Sequence, residues 1–347
     1  MDAARSCNGR SQRRVTLGST LRVLVGVLLL GWLIRTLDVA SLGSLFARLD
    51  VAPVAAACVV LVSSRWLTTW KWQVLLRAKD MRLPFAYLLR VVWISNFFGH
   101  FLPSAIGGDN IRMFTVARQM PRPTDAVSTV LMERLTGTVA LSVIAVLGGA
   151  WSYLHWGRPD ILVALLLPVG LLVAGLAGLW TEPGEWLVQW LLRRLTRVPG
   201  HRMLVQIHAA VQSYRHHRGA VTASVLVSGA IQALRVFAVY LVARAMGLPL
   251  RFHEALALVP AILFISMLPI SIGGLGVREG AFIAFLRVAG LDATAAFGLS
   301  LVSRLAQWTS NLPGWALFVM GGIGRVPEAA TVSERHRVAA LSASESA

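Results

Sequence analysis

Long apolar runs separated by short basic segments dominate this chain of 347 residues. A helix needs about 20 mostly apolar residues to cross the hydrocarbon core of a bilayer. Six apolar runs have this length, and two other apolar segments, 84–102 and 252–270, each lead into a short motif rich in proline and glycine. With about eight apolar segments in all, the pattern predicts an all-α polytopic membrane protein that forms a single integral membrane domain over residues 1–347. The six runs of spanning length are 18–37, 51–69, 125–149, 161–180, 219–246 and 293–321.

The two proline- and glycine-rich motifs share one pattern of residues. The first reads Pro103-Ser-Ala-Ile-Gly-Gly-Asp-Asn-Ile-Arg112, and the second reads Pro269-Ile-Ser-Ile-Gly-Gly-Leu-Gly-Val-Arg278. The proline, the isoleucine, the glycine pair and the arginine stand at identical offsets. Helix-breaking residues beside a charge, at corresponding places in two halves of a membrane protein, indicate a binding site between two repeats.

Basic residues predict how the chain threads the membrane, because cytoplasmic loops carry an excess of Lys and Arg. Residues 65–90 and 112–122 are both basic, so residues 84–124 should enter the membrane from the cytoplasm and return to it. The same reasoning makes residues 252–290 enter from the outside and return there. Each unit then has three transmembrane spans and one broken re-entrant hairpin, in opposite orientations, which is an inverted-topology repeat. The predicted repeats are 18–150 and 161–322, and the predicted cytoplasmic tails are 1–17 and 325–347.

Composition narrows the class of protein. Hydrophobic residues make up 56% of the chain and charged residues 14%, with a mean hydropathy of +0.66, whereas soluble domains are about 25% charged. The net charge of +17 does not indicate nucleic-acid binding, because the arginines stand in short segments between apolar runs. The sequence has no phosphate-binding Gly-Lys loop and no metal-binding motif, so neither a cofactor nor a metal is expected.

Charged side chains also occur inside the apolar runs, where a charge costs about 2.5–3.5 kcal/mol on insertion scales. Arg235 lies near the middle of its run and shares a helical face with Ser228 and Gln232, so this face should point inward. Glu133 and Arg134 are neighbours that point about 100° apart on a helix, so each needs a partner elsewhere. The expected counter-charges are Asp109, Glu133 and Glu279, set against Arg112, Arg134, Arg235, Arg278 and Arg304.

Two roles are open for these embedded groups. They can be structural ion pairs that tie helices together, and Glu133, Arg134, Pro103 and Pro269 are assigned to structure or to coupling. Because arginines outnumber carboxylates, the set also suits a phosphate or another anionic headgroup, with N–H groups at a helix start as further donors. Arg112 and Arg278 are the strongest candidates. The predicted binding residues are Arg112, Arg278, Gly107, Gly108, Gly273, Gly274, Asp109, Glu279, Arg304 and Arg235.

The sequence resembles the flippase-like transmembrane domain of lysylphosphatidylglycerol synthetases and its stand-alone relatives. The resemblance covers nearly the whole chain and is most specific at Gly273-Gly-Leu-Gly-Val-Arg-Glu279. It implies handling or movement of lipids across the cytoplasmic membrane. No aminoacyltransferase domain follows the apolar region, so a stand-alone member is expected. The other segments that carry the resemblance are Arg65-Trp66, Lys71 to Leu76, Asn96 to Arg112, Val130 to Leu135 and Ser303-Arg304.

Three functions follow as hypotheses. The first is a flippase or scramblase-like translocase of an anionic phospholipid or a polyprenyl- or glycosyl-linked lipid, located in the cytoplasmic (inner) membrane with both termini in the cytoplasm. The second is a membrane-embedded transferase with Glu279 or Asp109 as base. The third is a non-catalytic partner of a lipid-modifying enzyme, docking through residues 182–218. The missing catalytic motifs favour a transporter over an enzyme.

Overall fold

A computed structural model of the protein describes residues 39–99, 107–118, 123–157, 201–267 and 274–322, together with Ser271 and scattered positions within 31–35 and 159–186. Every regular element in these residues is a helix, and a short 3-10 turn, Arg287–Ala289, follows α9. The α-helices are α1 Val39–Ala47, α2 Val51–Arg77, α3 Phe85–Gly99, α4 Gly107–Ala117, α5 Pro123–Trp156, α6 His201–Ser213, α7 Arg218–Ala245, α8 Phe252–Ser266, α9 Val277–Leu286, α10 Ala293–Thr309 and α11 Leu312–Val319.

Three of these helices, α2, α5 and α7, are long and apolar enough to cross a membrane. They contain the predicted spans 51–69, 125–149 and most of 219–246, and α5 extends well beyond its predicted end. Asp50 begins α2 by accepting the N–H of Ala52 at 3.0 Å, which satisfies one of the free donors at a helix start. The predicted spans 18–37 and 161–180 lie largely outside the described residues.

The predicted last span, 293–321, is wrong as a single helix. The chain forms α10 and α11, which meet at Ser310 and Asn311. Pro313 lies in the first turn of α11, where it has no N–H to continue the hydrogen bonds of α10. The side chain of Asn311 instead donates to the carbonyl of Gln307 at 2.7 Å, which stabilises the end of α10.

The described part of each proline- and glycine-rich motif includes the start of a short helix, α4 or α9, and another short helix precedes each motif. Helices α3 and α8 have 15 residues each, which gives about 22 Å of helix and is short of a full crossing. Helix α3 packs on α4, and α8 packs on α9. A side chain at Gly108 would come within 2.4 Å of the Ser95 carbonyl oxygen, so this glycine lets α4 approach α3 closely. Pro103, Pro269 and Gly273 lie outside the described residues.

The helices pack in matching pairs. Helix α8 packs on α5 as α11 packs on α3, and α4 packs on α5 as α9 packs on α10, while α2 and α7 pack along each other. Glycines mark two of these crossings. A side chain at Gly148 would lie 2.3 Å from the carbonyl oxygen of Ala257, and one at Gly314 would lie 2.3 Å from that of Trp93. These two glycines are separated in sequence by the same distance as Pro103 and Pro269.

We expect Gly148→Ala to destabilise the protein by about 1–3 kcal/mol, because the added methyl group would push α5 away from the backbone of α8. The measurement is the melting temperature of the purified protein in detergent. Gly229→Ala is the matched control, since Gly229 lies within α7 and a methyl group added there would meet nothing within 4 Å. That variant should be neutral or slightly stabilising. Equal effects of the two substitutions would contradict the close crossing.

Contacts between connections define the two ends of the bundle. At one end the Asp50 N–H donates to the Ala245 carbonyl at 2.9 Å, and the rings of Trp151 and His253 lie 5.3 Å apart. At the other end the Tyr214 hydroxyl donates to the Leu75 carbonyl at 2.8 Å. Burial, helped by the charge of Asp125, raises the pKa of Tyr214, so its hydroxyl stays protonated and can donate.

Candidate functional site

Glu133 is the centre of a buried ion cluster that joins three helices. Its carboxylate accepts a hydrogen bond from the guanidinium of Arg112 on α4. The ammonium group of Lys71 on α2 lies 3.7 Å from the same carboxylate and donates to the Glu133 backbone carbonyl at 3.1 Å. All three side chains are buried. The cluster therefore ties α2, α4 and α5 together through opposite charges in a low-dielectric setting.

Aromatic and hydroxyl groups complete this cluster. The Arg112 guanidinium lies 4.2 Å from the ring centre of Trp72, within the range of a cation–π contact. Trp72 is fully buried and donates its indole N–H to Thr129 at 3.1 Å. Lys71 also donates to the Ser228 hydroxyl at 3.1 Å, which brings α7 into the network.

Asp109 and Arg134 form a second bridge between α4 and α5. Arg134 donates through its Nε to the Asp109 carboxylate, and Arg112 lies 3.9 Å from the other carboxylate oxygen. Asp109 is in the first turn of α4, where a negative charge interacts favourably with the helix dipole. Glu133 and Arg134, expected to need separate partners, do have them, because they face different residues of α4.

A third set of contacts joins α9 to α10. Glu279 accepts a hydrogen bond from Arg304 at 2.7 Å and another from the backbone N–H of Gly276 at 2.7 Å. The carboxylate of Glu279 thus caps its own helix, so this helix start is already partly satisfied without a bound anion. Arg278, on the same turn, donates to the Gln307 side chain at 2.9 Å and lies 5.5 Å from the ring centre of Phe282.

Arginines without a carboxylate partner are the unusual feature of this interior. Among the described residues, Arg65 and Arg278 have buried guanidinium nitrogens with no hydrogen-bond partner, and each side chain is about 8% exposed. Arg235 has a hydrogen bond of 3.5 Å to Gln232 and, within the part of the chain that the structure describes, no ion pair. A buried cation left in this way is costly unless an anion binds beside it.

The structure distributes the three expected counter-charges among the five embedded arginines. Neither Arg235 nor Arg278 contacts a carboxylate among the described residues, which agrees with the expected surplus of arginines. Arg65 and Lys71, which the sequence reasoning counted only as part of a basic segment, are buried within α2. Arg65 belongs to the candidate site although the sequence reasoning missed it. Arg65, Thr69 and Trp72 are spaced i, i+4 and i+7, which places them on one face of a helix, and this pattern was the signal available in the sequence.

A cavity of about 160 Å³ lies where α3 meets the start of α4. It is smaller than the roughly 300–1,000 Å³ of pockets that enclose drug-sized ligands, so it has room only for a small group. Two other predicted binding residues are described outside this cavity: Gly107 is the first residue of α4, and Gly274, with φ of 70°, has the left-handed backbone conformation that favours glycine. The cavity is lined by Ser95, Asn96, Gly99, Gly108, Asp109, Arg112 and Arg134.

A larger cavity of about 710 Å³ lies at the connection between α7 and α8, where Tyr240 and Phe252 contribute to its wall. Its arginines, Arg244 and Arg251, are exposed, so water and salt ions can satisfy their charge. We therefore place the candidate site at the buried charges. Within the described residues, no group of three His, Cys, Asp or Glu side chains could hold a metal ion.

The long apolar helices and the buried charges define a helical, multi-pass membrane protein. The chain belongs to the family described as the lysylphosphatidylglycerol synthase TM region, whose model matches residues 19–314. This confirms the resemblance seen in the motifs. Two proteins of Methanothermobacter thermautotrophicus, each named "UPF0104 membrane protein", are similar to it. One is 24% identical over 324 residues, covering 86% of this chain and 91% of the relative. The other is 22% identical over 333 residues, covering 90% and 96%.

Proposed function

We propose that this protein is a lipid translocase of the cytoplasmic membrane, flippase or scramblase-like, with both termini in the cytoplasm. Its cargo would be an anionic phospholipid or a polyprenyl- or glycosyl-linked lipid. The observation that carries the proposal is the excess of interior arginines over carboxylates, with Arg278 and Arg235 lacking acidic partners among the described residues. Such a surplus in an apolar protein suits an anionic headgroup that passes through.

The matching helix pairs support an inverted repeat. The crossings at Gly148 and Gly314 have the same sequence separation as the two motifs, and each joins a long or kinked span to a short helix of the other half. In such repeats, the substrate binds between the halves near the middle of the membrane. Rocking of one half against the other would expose the bound headgroup to each side in turn.

The two arginines of the motifs would take different parts in this cycle. Arg278 has nitrogens free to bind an anion, since Gln307 is its sole polar partner in the described structure. Arg112 is held by Glu133 and faces the 160 Å³ cavity, so it can bind a headgroup by exchanging or sharing that carboxylate. The lipid tails would remain in the surrounding bilayer.

The geometry does not favour the membrane-embedded transferase. The two carboxylates considered as its base are engaged: Glu279 with Arg304 and Gly276, and Asp109 with Arg134. Oxygens that already accept these hydrogen bonds are less available to take a proton from a substrate. The docking hypothesis concerns residues 182–218, of which α6 is described and packs on α5.

Reconstituted liposomes test the proposal. Labelled anionic, zwitterionic and polyprenyl-phosphate lipids would be followed by the accessibility of their headgroups from outside. We expect faster movement of one anionic class, and return to the protein-free rate in Arg112→Ala/Arg278→Ala. Arg77→Ala is the matched control, because Arg77 is an exposed residue at the end of α2. Unchanged transport in a folded double variant would refute the headgroup assignment. No cofactor is proposed for the protein, and its proposed partner is the lipid itself.

A further inference from the structure

Arg65 lies near the middle of α2, facing the interior of the protein. Its side chain is about 8% exposed, and its Nε is buried without a hydrogen-bond partner among the residues that the structure describes. Glu133 is the acidic group that attracts it, but that carboxylate is already shared by Arg112 and Lys71. Arg65 therefore carries a charge that the described protein does not neutralise.

Arg235 connects Arg65 to the second half of the protein. Arg278 of α9 donates to Gln307 of α10 at 2.9 Å, and α10 packs on both α2 and α7. Helices α2 and α7 pack along each other in opposite directions, with Asp50 against Ala245 and Lys71 against Ser228, so Arg65 lies at about the level of Gln232 on α7. Arg235 is half-buried, and Gln232 is its one hydrogen-bond partner among the described residues.

Arg235 thus has one like-charged neighbour on α2 and another on α9. Guanidinium groups bind phosphate oxygens through paired hydrogen bonds, and such charge-assisted bonds are among the strongest in proteins. The unpartnered nitrogens of Arg65 and Arg278 are the donors that such a ligand would use. A phosphate would also relieve the repulsion that Arg235 has with each of them.

We propose that Arg65, Arg235 and Arg278 together bind one phosphate group at the interface between the two halves. The phosphate would belong to a lipid headgroup or be free inorganic phosphate. This inference deepens the proposed function, on which it rests for the lipid source, by assigning the central anion site to Arg65 and Arg235, two residues outside the repeated motifs.

The site has a signature in the absence of ligand. Arg65→Gln removes an unpaired buried charge, so the ligand-free variant should melt at the same temperature as the natural protein or higher. An arginine that holds the fold together would show the opposite shift. Arg65→Lys keeps the charge but loses the planar fork, so it should retain part of the affinity.

Binding is measured by thermal unfolding of the purified protein in a non-ionic detergent and phosphate-free buffer. The probes are inorganic phosphate, water-soluble dihexanoyl phosphatidylglycerol, and dihexanoylglycerol as the analogue without phosphate. We expect saturable stabilisation by a phosphate-bearing probe in the natural protein and in Arg77→Gln. Arg65→Gln and Arg235→Gln should weaken that binding on the order of tenfold to a hundredfold.

The probes separate the two sources of phosphate. Tighter binding of phosphatidylglycerol assigns the site to a lipid headgroup, and tighter binding of inorganic phosphate assigns it to the free ion. Equal affinity in Arg65→Gln and the natural protein, or no saturable stabilisation by either phosphate probe, overturns the site. Phosphate binding without lipid movement in liposomes would support the site and refute the translocase. Lipid movement with unchanged phosphate binding in Arg65→Gln would support the translocase and refute the site.

Discussion

Replacing Glu133 with glutamine is expected to cost the protein about 3–5 kcal/mol of folding stability, because it leaves buried cations without their carboxylate. Lys71 and Arg112 both contact this side chain, and both are buried. Glutamine has nearly the same shape, so the loss would measure charge and not packing. The measurement is the unfolding midpoint of the purified protein in a titration with sodium dodecyl sulfate.

Two variants control for this result. Lys71→Met/Glu133→Gln should recover part of the lost stability, because one of the two uncompensated cations is removed as well; we expect a coupling energy of about 1 kcal/mol or more. Glu254→Gln should change stability by about 0.5 kcal/mol or less, since this carboxylate accepts an exposed backbone N–H that an amide oxygen can also accept. Equal effects of Glu133→Gln and Glu254→Gln would show that the ion cluster contributes nothing.

Glu279→Gln is expected to destabilise the protein by about 3 kcal/mol, for a related reason at the other motif. The amide can still accept the N–H of Gly276, but it cannot neutralise Arg304, and Arg278 stands beside it with unpaired nitrogens. Glu279 is about 1% exposed, so water cannot take the place of the lost charge. The same unfolding titration measures the effect.

The double variant Glu279→Gln/Arg304→Gln separates a structural carboxylate from a catalytic one. If Glu279 acts as a counter-charge, removing Arg304 as well should restore most of the stability and leave lipid movement measurable. If Glu279 were the base of a transferase, product formation would be absent in the single and the double variant alike, whatever their stability. Restored function in the double variant therefore excludes the catalytic role.

The close helix crossings are the part of the fold that the sequence did not predict. The motif glycines stood out because they follow prolines and precede arginines. Gly148 and Gly314 stand in apolar runs, where glycine has several uses and no local pattern sets a packing glycine apart. Their importance follows from the backbone of a distant helix, which lies 2.3 Å from the position that a side chain would take.

Arg65 is the residue of the candidate site that the sequence did not predict. Arginine near the end of an apolar run is typical of a cytoplasmic boundary, and several basic residues follow Arg65 in the chain. Helix α2 continues to Arg77, so Arg65 lies near its middle and not at its end. The hydrophobic pattern does not set this end, because the buried positions from Ser64 to Gln73 are mostly polar.

The sequence by itself determined the class of protein, the approximate bounds of α2, α5 and α7, and the repeated motifs with their arginines, because apolar length and local composition are properties of neighbouring residues. It also named Asp109, Glu133 and Glu279 as the available counter-charges, and each of them pairs with an embedded arginine. Only the tertiary structure decided which charges pair and which are left over. Ion pairing depends on distances between helices that are far apart in the chain, and those distances are set by side-chain packing and by glycine crossings that no local pattern encodes.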